Sequence, residues 1–465
     1  MLRALYLRAT RHPVLTGAAV LLTALVVKLA CLPANQCGDL LYTPTCFNDI
    51  RHLYVGRGYA ELAWPYGSSG ARRVVEYPVL TAYFQFAMAW ITHAVAGFPA
   101  TDGRAAMSAE SLSAVPAVRT EIAVYQTVTM MVLVAAGIVA VWAFRRTTDR
   151  AAVPVMLAGA PVLLVEALVN WDLLSLLPAV TALASVRHGR LVLAGLCIGL
   201  GTATKLYPLF MLGALLVTAV RLHSPRTFVV PTLAAAGAWT VVNAPAFAMN
   251  PARWREFWTF NSDRGADLGS VWHALATSGV DVPAATLNVL SLGLFVMACA
   301  VVLVAGLRAP ATPTVAQLSL LITTAFLMMN KVYSAQYSLW LLPLAVLAVP
   351  RWRELLIWQA GEILYFCTVY LFVGGYLPPA VYVGAIAVRI LCQAYLAICV
   401  LRDMWDTGAS LAVPDRLPAR QVDSRVANDS VPSRGVKPVA SSLSSERVLR
   451  AGRGLIAAPS ARFPA

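Results

Sequence analysis

Charged residues are scarce in this chain. Asp, Glu, Lys and Arg make up only 12% of its 465 residues, whereas hydrophobic residues make up 59%. Water-soluble domains carry charge on about a quarter of their residues, and a mean hydropathy of +0.69 lies outside their range. The composition therefore excludes an ordinary soluble domain and predicts an integral membrane protein.

The motifs of several enzyme classes are missing as well. The sequence has no Walker loop, no dinucleotide-binding glycine pattern, no zinc-type spacing of Cys and His, and no nucleophile elbow. It also has no external Asp-x-Asp, the usual carboxylate pair for a metal-bound nucleotide donor. We expect no cofactor, and nothing in the sequence requires a divalent metal ion.

Long apolar runs dominate what is present. TVTMMVLVAAGIVAVWAF and LNVLSLGLFVMACAVVLVAGL approach the roughly 20 residues that cross a hydrocarbon core of about 30 Å as a helix. Because backbone groups in lipid must pair internally, we predict an all-α, polytopic transmembrane bundle of about 12 spans. After the first run, the predicted spans are 118–144, 151–168, 171–186, 190–204, 206–221, 227–246, 286–307, 313–329, 336–350, 354–373 and 379–401.

Basic residues indicate the orientation. The N-terminus and the short connections on its side hold 13 Arg, whereas the short connections on the other side hold only Lys205 and Lys331. The positive-inside rule then places both termini in the cytoplasm. The net charge of +14 is explained by these loops, so no nucleic-acid partner is expected.

The positive-inside rule and the local composition divide the chain into regions. Residues 1–402 form the predicted membrane domain, with external loops at 32–117 and 247–285. Within the first loop, the run 77–95 is predicted to lie at the external interface as a helix, because a full crossing would place RRTTDR at 145–150 outside. Residues 403–465, rich in Ser, Pro, Arg and Ala, are predicted to be a disordered cytoplasmic tail.

Three of the eight cysteines cluster near the external end of the first span. They are Cys31, Cys37 and Cys46, and on an oxidising face two of them could form a disulfide that tethers the following loop. The sequence leaves the pairing open.

Polar residues gather at the external boundary, and each has a structural alternative. Asp49 in CFNDIRH is a helix cap or Asx-turn, or else a general base or substrate anchor. Glu76 precedes a proline that begins a helix, and Asp172 suits a helix N-terminus electrostatically. Lys205 lies between apolar stretches and should be paired or face a ligand, because burying an unpaired lysine is costly.

A second external segment is NSDRGADLGSVWHAL, from 261 to 275. Arg264 beside Gly265, with His273 further on, could cradle an anionic oxygen, because a guanidinium matches phosphate geometry. Structural roles are expected for four charged residues within the spans, namely Lys28, Glu166, Glu362 and Arg389.

An acid just beyond the first span, an interfacial helix and a bundle with its polar motifs on one side resemble the GT-C superfamily of membrane glycosyltransferases. The chain is most similar to glycosyltransferase family 87, the polyprenyl-phosphate-mannose-dependent transferases of actinobacteria. The resemblance covers the organisation of residues 14–400. It is carried by FNDI around Asp49, EYPVLTAY, VNWD, TKLYP, SVWH and NKVYSAQY.

The resemblance implies transfer of a hexose, with mannose favoured, from a polyprenyl-phosphate donor to a cell-envelope glycolipid or glycan on the external face of the plasma membrane. It also implies that Asp49 is the general base that deprotonates the acceptor hydroxyl. Candidates for binding the donor phosphate are Arg264, His273, Lys205 and Lys331. Candidates for holding the acceptor or orienting the base are His52, Glu76, Asp172 and Tyr333.

A transporter or flippase for a lipid-linked sugar would use a similar cavity without chemistry. Such a protein predicts polar or broken helices near the bilayer midplane and repeat symmetry. The polar residues here crowd one face instead, which favours an enzyme. A membrane acyltransferase lacks support, because no His-rich or Ser-based nucleophilic arrangement is present.

Overall fold

A computed structural model describes residues 10–32, 42–68 and 75–406. Within these ranges all regular secondary structure is helical, as predicted. The α-helices in chain order are α1 (Pro13–Ala30), α2 (Asp49–Gly56), α3 (Val79–Val95), α4 (Ala109–Ala114), α5 (Pro116–Phe144), α6 (Ala152–Ala158), α7 (Pro161–Glu166), α8 (Asp172–Arg187), α9 (Leu191–Thr204), α10 (Phe210–Arg221), α11 (Arg226–Met249), α12 (Pro251–Asp263), α13 (Val271–Thr277), α14 (Ala284–Arg308), α15 (Val315–Met329), α16 (Ser338–Ala348), α17 (Trp352–Val373) and α18 (Pro379–Trp405).

Six of the helices in the described ranges are long and apolar enough to cross a membrane. They are α1, α5, α11, α14, α17 and α18. The remaining apolar segments of the prediction form shorter helices, and the predicted interfacial run is the 17-residue helix α3. The helical character of the apolar segments is thus confirmed.

One predicted span is broken. The segment 151–168 forms two short helices, α6 and α7, which meet at Gly159 and Ala160. Pro161 opens the second helix, and Ala160 before it is extended, with ψ of 127°. A residue that precedes proline is disfavoured in the α conformation, which explains the break.

Helices α9 and α11 pack with their backbones close together. The cause is the pair Gly195 and Gly199, one turn apart on α9, at a small-xxx-small spacing. A Cβ at Gly195 would lie 2.3 Å from the carbonyl oxygen of Pro231, and one at Gly199 would lie 2.3 Å from that of Ala235. No residue with a side chain fits at either position without moving the helices apart.

A disulfide joins Cys31, directly after α1, to Cys46. Cys37 lies outside the described residues. The ammonium of Lys28 in α1 donates to the carbonyl oxygen of Phe47 at 2.6 Å. The segment that leads into α2 is therefore attached to the end of the first apolar helix by a covalent bond and a hydrogen bond.

A buried polar cluster fixes the other side of α2. The hydroxyl of Tyr54 donates to Glu121 of α5 at 2.9 Å, and the same carboxylate receives a bidentate pair of bonds from Arg104 at 2.7 and 2.8 Å. Arg104 also donates to the carbonyl oxygen of Ala60 at 2.7 Å. Through this cluster the start of the predicted first external loop is held against α5.

A second buried cluster holds the segment that joins α15 to α16. Arg389 of α18 pairs with Glu362 of α17 at 2.6 Å, and both side chains are fully buried. The guanidinium also donates to the carbonyl oxygens of Tyr333, Ser334 and Ala335 at 2.9, 3.1 and 3.4 Å. The structural roles expected for Arg389 and Glu362 therefore correspond to an ion pair that supports this segment.

The C-terminal boundary differs slightly from the prediction. Helix α18 continues to Trp405, so the first residues of the predicted tail, 403–405, are helical. The tail from residue 407 onward lies outside the described residues.

The close approach of α9 and α11 makes Gly195 intolerant of substitution. We expect Gly195→Ala to lower the stability of the detergent-solubilised protein by about 1 to 3 kcal/mol, because overpacking forces the helices apart. The measurement is the unfolding midpoint temperature. The control is Gly237→Ala on α11, where a Cβ meets nothing within 4 Å and helix propensity favours alanine. A Gly195→Ala variant as stable as Gly237→Ala would contradict the packing argument.

Candidate functional site

A cavity of about 660 Å³ contains most of the predicted site residues. Its wall is built from α2 and the segment before it, the segments before α3 and α8, the turn after α9, α12 and the loop after it, α15, α16 and the segment between them, and α17. Six of the nine predicted residues line it, namely Asp49, His52, Glu76, Lys205, Arg264 and Lys331. The fold thus brings together side chains from positions 49 to 331.

Asp49 is the first residue of α2. Asn48 caps this helix by accepting a hydrogen bond from the Arg51 amide, so the cap that the sequence suggested for Asp49 falls on its neighbour. The amide of Asp49 donates to the carbonyl oxygen of Val169 at 2.8 Å, and its Oδ2 accepts from Asn170 Nδ2 at 2.8 Å. The other carboxylate oxygen is not engaged by any hydrogen bond with a described residue.

The half-buried position of Asp49 changes its acidity. Burial raises the pKa of Asp49 to about 6, while the hydrogen bond from Asn170 acts in the opposite direction. A carboxylate with this pKa is ionised near neutral pH and is more basic than an exposed aspartate. It is therefore suited to accept a proton from a substrate.

Lys205 is buried and paired, as expected. The residue is only 6% exposed. Its ammonium lies 3.5 Å from Asp172 Oδ1 and 3.3 Å from Asn170 Oδ1. It also lies 4.7 Å from the centre of the Tyr77 ring. Lys205 contributes positive charge to the cavity wall, but that charge is balanced by Asp172.

Asp172 itself does not line the cavity. It opens α8, as the capping interpretation suggested, but it is 1% exposed and accepts a hydrogen bond from the Trp340 indole at 2.7 Å. Asp172 is connected to the cavity through its ion pair with Lys205.

Arg264 directly follows α12 and reaches the cavity. Its guanidinium pairs with Asp267, three residues on, and 37% of its side chain is exposed. The Asp267 side chain is 24% exposed, and solvent-accessible pairs of this kind contribute only about 0 to 1 kcal/mol. The guanidinium can therefore exchange this partner for an anionic group of a ligand at little cost.

Lys331 also lines the cavity, but its donors are already used. The ammonium donates to the carbonyl oxygens of Ser262 and Arg264 at 3.0 and 2.6 Å, and to Asn288 Oδ1 at 2.5 Å. An ammonium has three N–H donors and all three are engaged. This geometry makes Lys331 a support for the loop that carries Arg264, not a free phosphate ligand.

Glu76 and His52 occupy the wall near Asp49. Glu76 forms an ion pair with Arg57, which directly follows α2 and also lines the cavity. His52 lies one turn after Asp49 on α2, is exposed, and has its ring 6.3 Å from that of Phe47. Arg57 is not among the predicted site residues, although GRGY places it near the end of the same short helix.

His273 and Tyr333 do not line the cavity. The Nδ1 of His273 lies 3.1 Å from the hydroxyl of Tyr382, and burial lowers the pKa of His273. The hydroxyl of Tyr333 donates to Glu362 and Gln393 at 3.1 and 2.9 Å, and the residue is fully buried. Tyr333 is thus engaged in the buried cluster of Arg389 and Glu362, whereas His273 is half-buried and contacts Tyr382.

Aromatic rings form much of the remaining wall, which sequence reasoning did not anticipate. Phe47 stacks on Tyr370 with centroids 3.9 Å apart, and Tyr337 stacks on Trp340 at 3.8 Å. Further aromatic residues on the wall are Tyr42, Tyr77, Phe257, Phe260, Phe326 and Tyr365. The cavity therefore combines a carboxylate and an arginine with a large apolar surface.

In the ranges that the structure describes, no group of three or more His, Cys, Asp and Glu side chains could hold a metal ion. No protein-family model matches the chain, and no curated protein matches its sequence.

The role of Lys331 as a loop support is testable without a substrate. In Lys331→Met, amide hydrogen exchange in residues 264–270 should be at least about tenfold faster, because hydrogen bonds from a charged donor contribute about 1.5 to 3 kcal/mol each. The measurement is exchange followed by mass spectrometry. The control is Arg264→Met, which removes only a partly exposed ion pair with Asp267 from the same loop and should leave most protection in place. Equal exchange in the two variants would contradict this role.

Proposed function

We propose that the protein is a membrane glycosyltransferase of GT-C type. It moves a hexose, with mannose favoured by resemblance, from a polyprenyl-phosphate donor to a cell-envelope glycolipid or glycan. The observation that carries the proposal is the convergence of Asp49, Glu76, Lys205 and Arg264 on one aromatic-walled cavity.

Asp49 has the geometry required of the base. One of its oxygens is held by Asn170, and the other is left to accept the proton of the acceptor hydroxyl. As that proton transfers, the hydroxyl oxygen forms a bond to the anomeric carbon and the bond from this carbon to the phosphate oxygen breaks. A positioned base of this kind contributes about 10² to 10⁴ in rate.

The departing lipid phosphate carries away the electron pair of the broken bond and needs a cationic partner. Arg264 supports this role because its guanidinium reaches the cavity and is held by a partly exposed pair with Asp267. A guanidinium binds phosphate oxygens through two parallel N–H donors. Lys205 adds to the local positive potential, while Lys331 acts through the Arg264 loop.

The apolar part of the cavity suits a lipid-borne substrate. Its wall includes Phe257 and Phe260 of α12, Phe326 of α15 and Leu206 after α9. A pocket that is mostly apolar with a few convergent polar groups is the usual form of a small-molecule site. It would accept the first isoprene units of the donor beside the phosphate.

The proposal includes the topology predicted above, with about twelve crossings, cytoplasmic termini and an external cavity. The disulfide between Cys31 and Cys46 supports this orientation, because disulfides persist in oxidising compartments. Cys46 lies three residues before Asp49 in the chain, so the disulfide and the cavity lie on the same side of the membrane in this proposal.

Replacement of Asp49 tests the proposal. In Asp49→Asn we expect transfer from a polyprenyl-phosphate sugar to fall by about 10² to 10⁴, because the amide cannot accept the proton. The measurement is radiolabelled sugar transfer by the purified protein in lipid. The control is Asp263→Asn, an exposed acid at the end of α12 that does not line the cavity.

Near wild-type transfer by Asp49→Asn would remove Asp49 as the base. If the protein is instead a transporter or flippase, the wild type will move the lipid-linked sugar between the leaflets of a vesicle and form no glycosylated product.

The orientation has its own test. Ser262 is exposed at the end of α12, and Arg190 is exposed on a predicted cytoplasmic connection. We expect Ser262→Cys to react with an impermeant thiol reagent in intact cells, and Arg190→Cys to react only in inverted vesicles. The reverse pattern would place the cavity on the cytoplasmic side.

A further inference from the structure

Every hydrogen-bond donor and acceptor of the Asn170 side-chain amide is engaged. Its Nδ2 donates to Asp49 Oδ2 and to the hydroxyl of Tyr77, both at 2.8 Å. Its Oδ1 accepts from the backbone N–H of Trp171 at 2.7 Å and from Lys205 at 3.3 Å. A primary amide offers two donors and an oxygen with two lone pairs, so no capacity is left over.

The surroundings also fix which way this amide faces. The backbone N–H of Trp171 and the ammonium of Lys205 are donors only, so they require the oxygen of Asn170 on their side. The amide nitrogen must then face the carboxylate of Asp49. Rotating the amide by half a turn would place donors against donors and an oxygen against a carboxylate.

A second contact from the same segment holds the backbone of Asp49. Its N–H donates to the carbonyl oxygen of Val169, the residue just before Asn170. Consecutive residues therefore hold Asp49 at two points, one on its main chain and one on its side chain. Two contacts define both the place of the carboxylate and its rotation.

We infer that Asn170 is a positioning residue that engages Oδ2 of Asp49 and thereby leaves Oδ1 as the oxygen that receives the substrate proton. The inference rests on the proposed function, in which Asp49 is the base. The bond also favours the ionised carboxylate, because a hydrogen bond donated to a charged acceptor stabilises that charge.

Other charges act on Asp49 and must be kept constant in any test. The titratable groups that face it are Lys28 from α1, Glu76 and Tyr77 before α3, Asp172 from α8, Lys205 after α9 and Tyr370 from α17, with His52 on its own helix. A substitution at position 170 leaves all of these side chains in place, but it removes the hydrogen bonds that Asn170 makes with Tyr77 and Lys205.

The test compares pH profiles of kcat/KM for the wild-type protein and Asn170→Asp. The base works when ionised, so wild-type activity should rise through pH about 6. Asn170→Asp removes the donor and adds a like charge, which raises the pH at which Asp49 ionises. We expect the acid limb to move up by about one pH unit or more and kcat to fall by about tenfold or more.

Asn330→Asp is the matched control. Asn330 lines the same cavity, but its amide donates to the carbonyl oxygen of Val332 at 2.9 Å and not to Asp49. Its acid limb should stay at the wild-type pH. Asn170→Ala provides a second variant that removes the donor without adding charge, and its limb should also move up. Limbs at the wild-type pH in both position-170 variants would overturn the inference.

A measurement that needs no activity separates this inference from the proposed function. Carbodiimides modify protonated carboxyl groups, so the modification of Asp49 in the purified protein can be followed against pH by peptide mass spectrometry. The midpoint should move up in Asn170→Asp and Asn170→Ala but not in Asn330→Asp. If it does so while the wild type transfers no sugar, the proposed function fails and the positioning contact stands. An unmoved midpoint overturns the inference whatever the activity.

Discussion

Burial of charge in an apolar bundle is the constraint on which the arrangement of the cavity depends. An ionised group that loses water must gain partners, or its burial costs several kcal/mol. Arg389 is paired with Glu362 and donates to three carbonyl oxygens. Lys205 is paired with Asp172 and donates to Asn170. Asp49 and Arg264 differ from these buried ions, because each directs hydrogen-bonding groups of its side chain into the cavity.

The rigid clusters explain how those two groups are held. Helix α2 is short, and an isolated helix of 8 residues is unstable in water. The disulfide at Cys46 and the hydrogen bond of Tyr54 to Glu121 fix its two sides against α1 and α5. The loop of Arg264 depends in the same way on Lys331. The site is thus built on loops and short helices, but each is attached to the bundle by buried polar contacts.

The sequence predicted the helices well, because apolar runs of sufficient length have few other stable forms. It missed the break at Gly159 and Ala160, although Pro161 was a visible signal. For the site, six of the nine residues chosen from the polar motifs line the cavity, and their proposed roles stay predictions. The pattern did not separate them from Tyr333 and His273, which come from neighbouring positions but do not line the cavity.

The sequence by itself determined the all-helical class, since the length and apolarity of a segment decide locally whether its backbone can be satisfied as a helix. It also determined that a carboxylate and several cations lie near the ends of those helices. Only the tertiary structure decided which of these groups still has a free donor or acceptor. Lys331 and Asn288 are 43 positions apart, and Asp49 and Asn170 are 121 apart. Whether a hydrogen-bonding group is already engaged depends on such distant neighbours, and no local pattern records them.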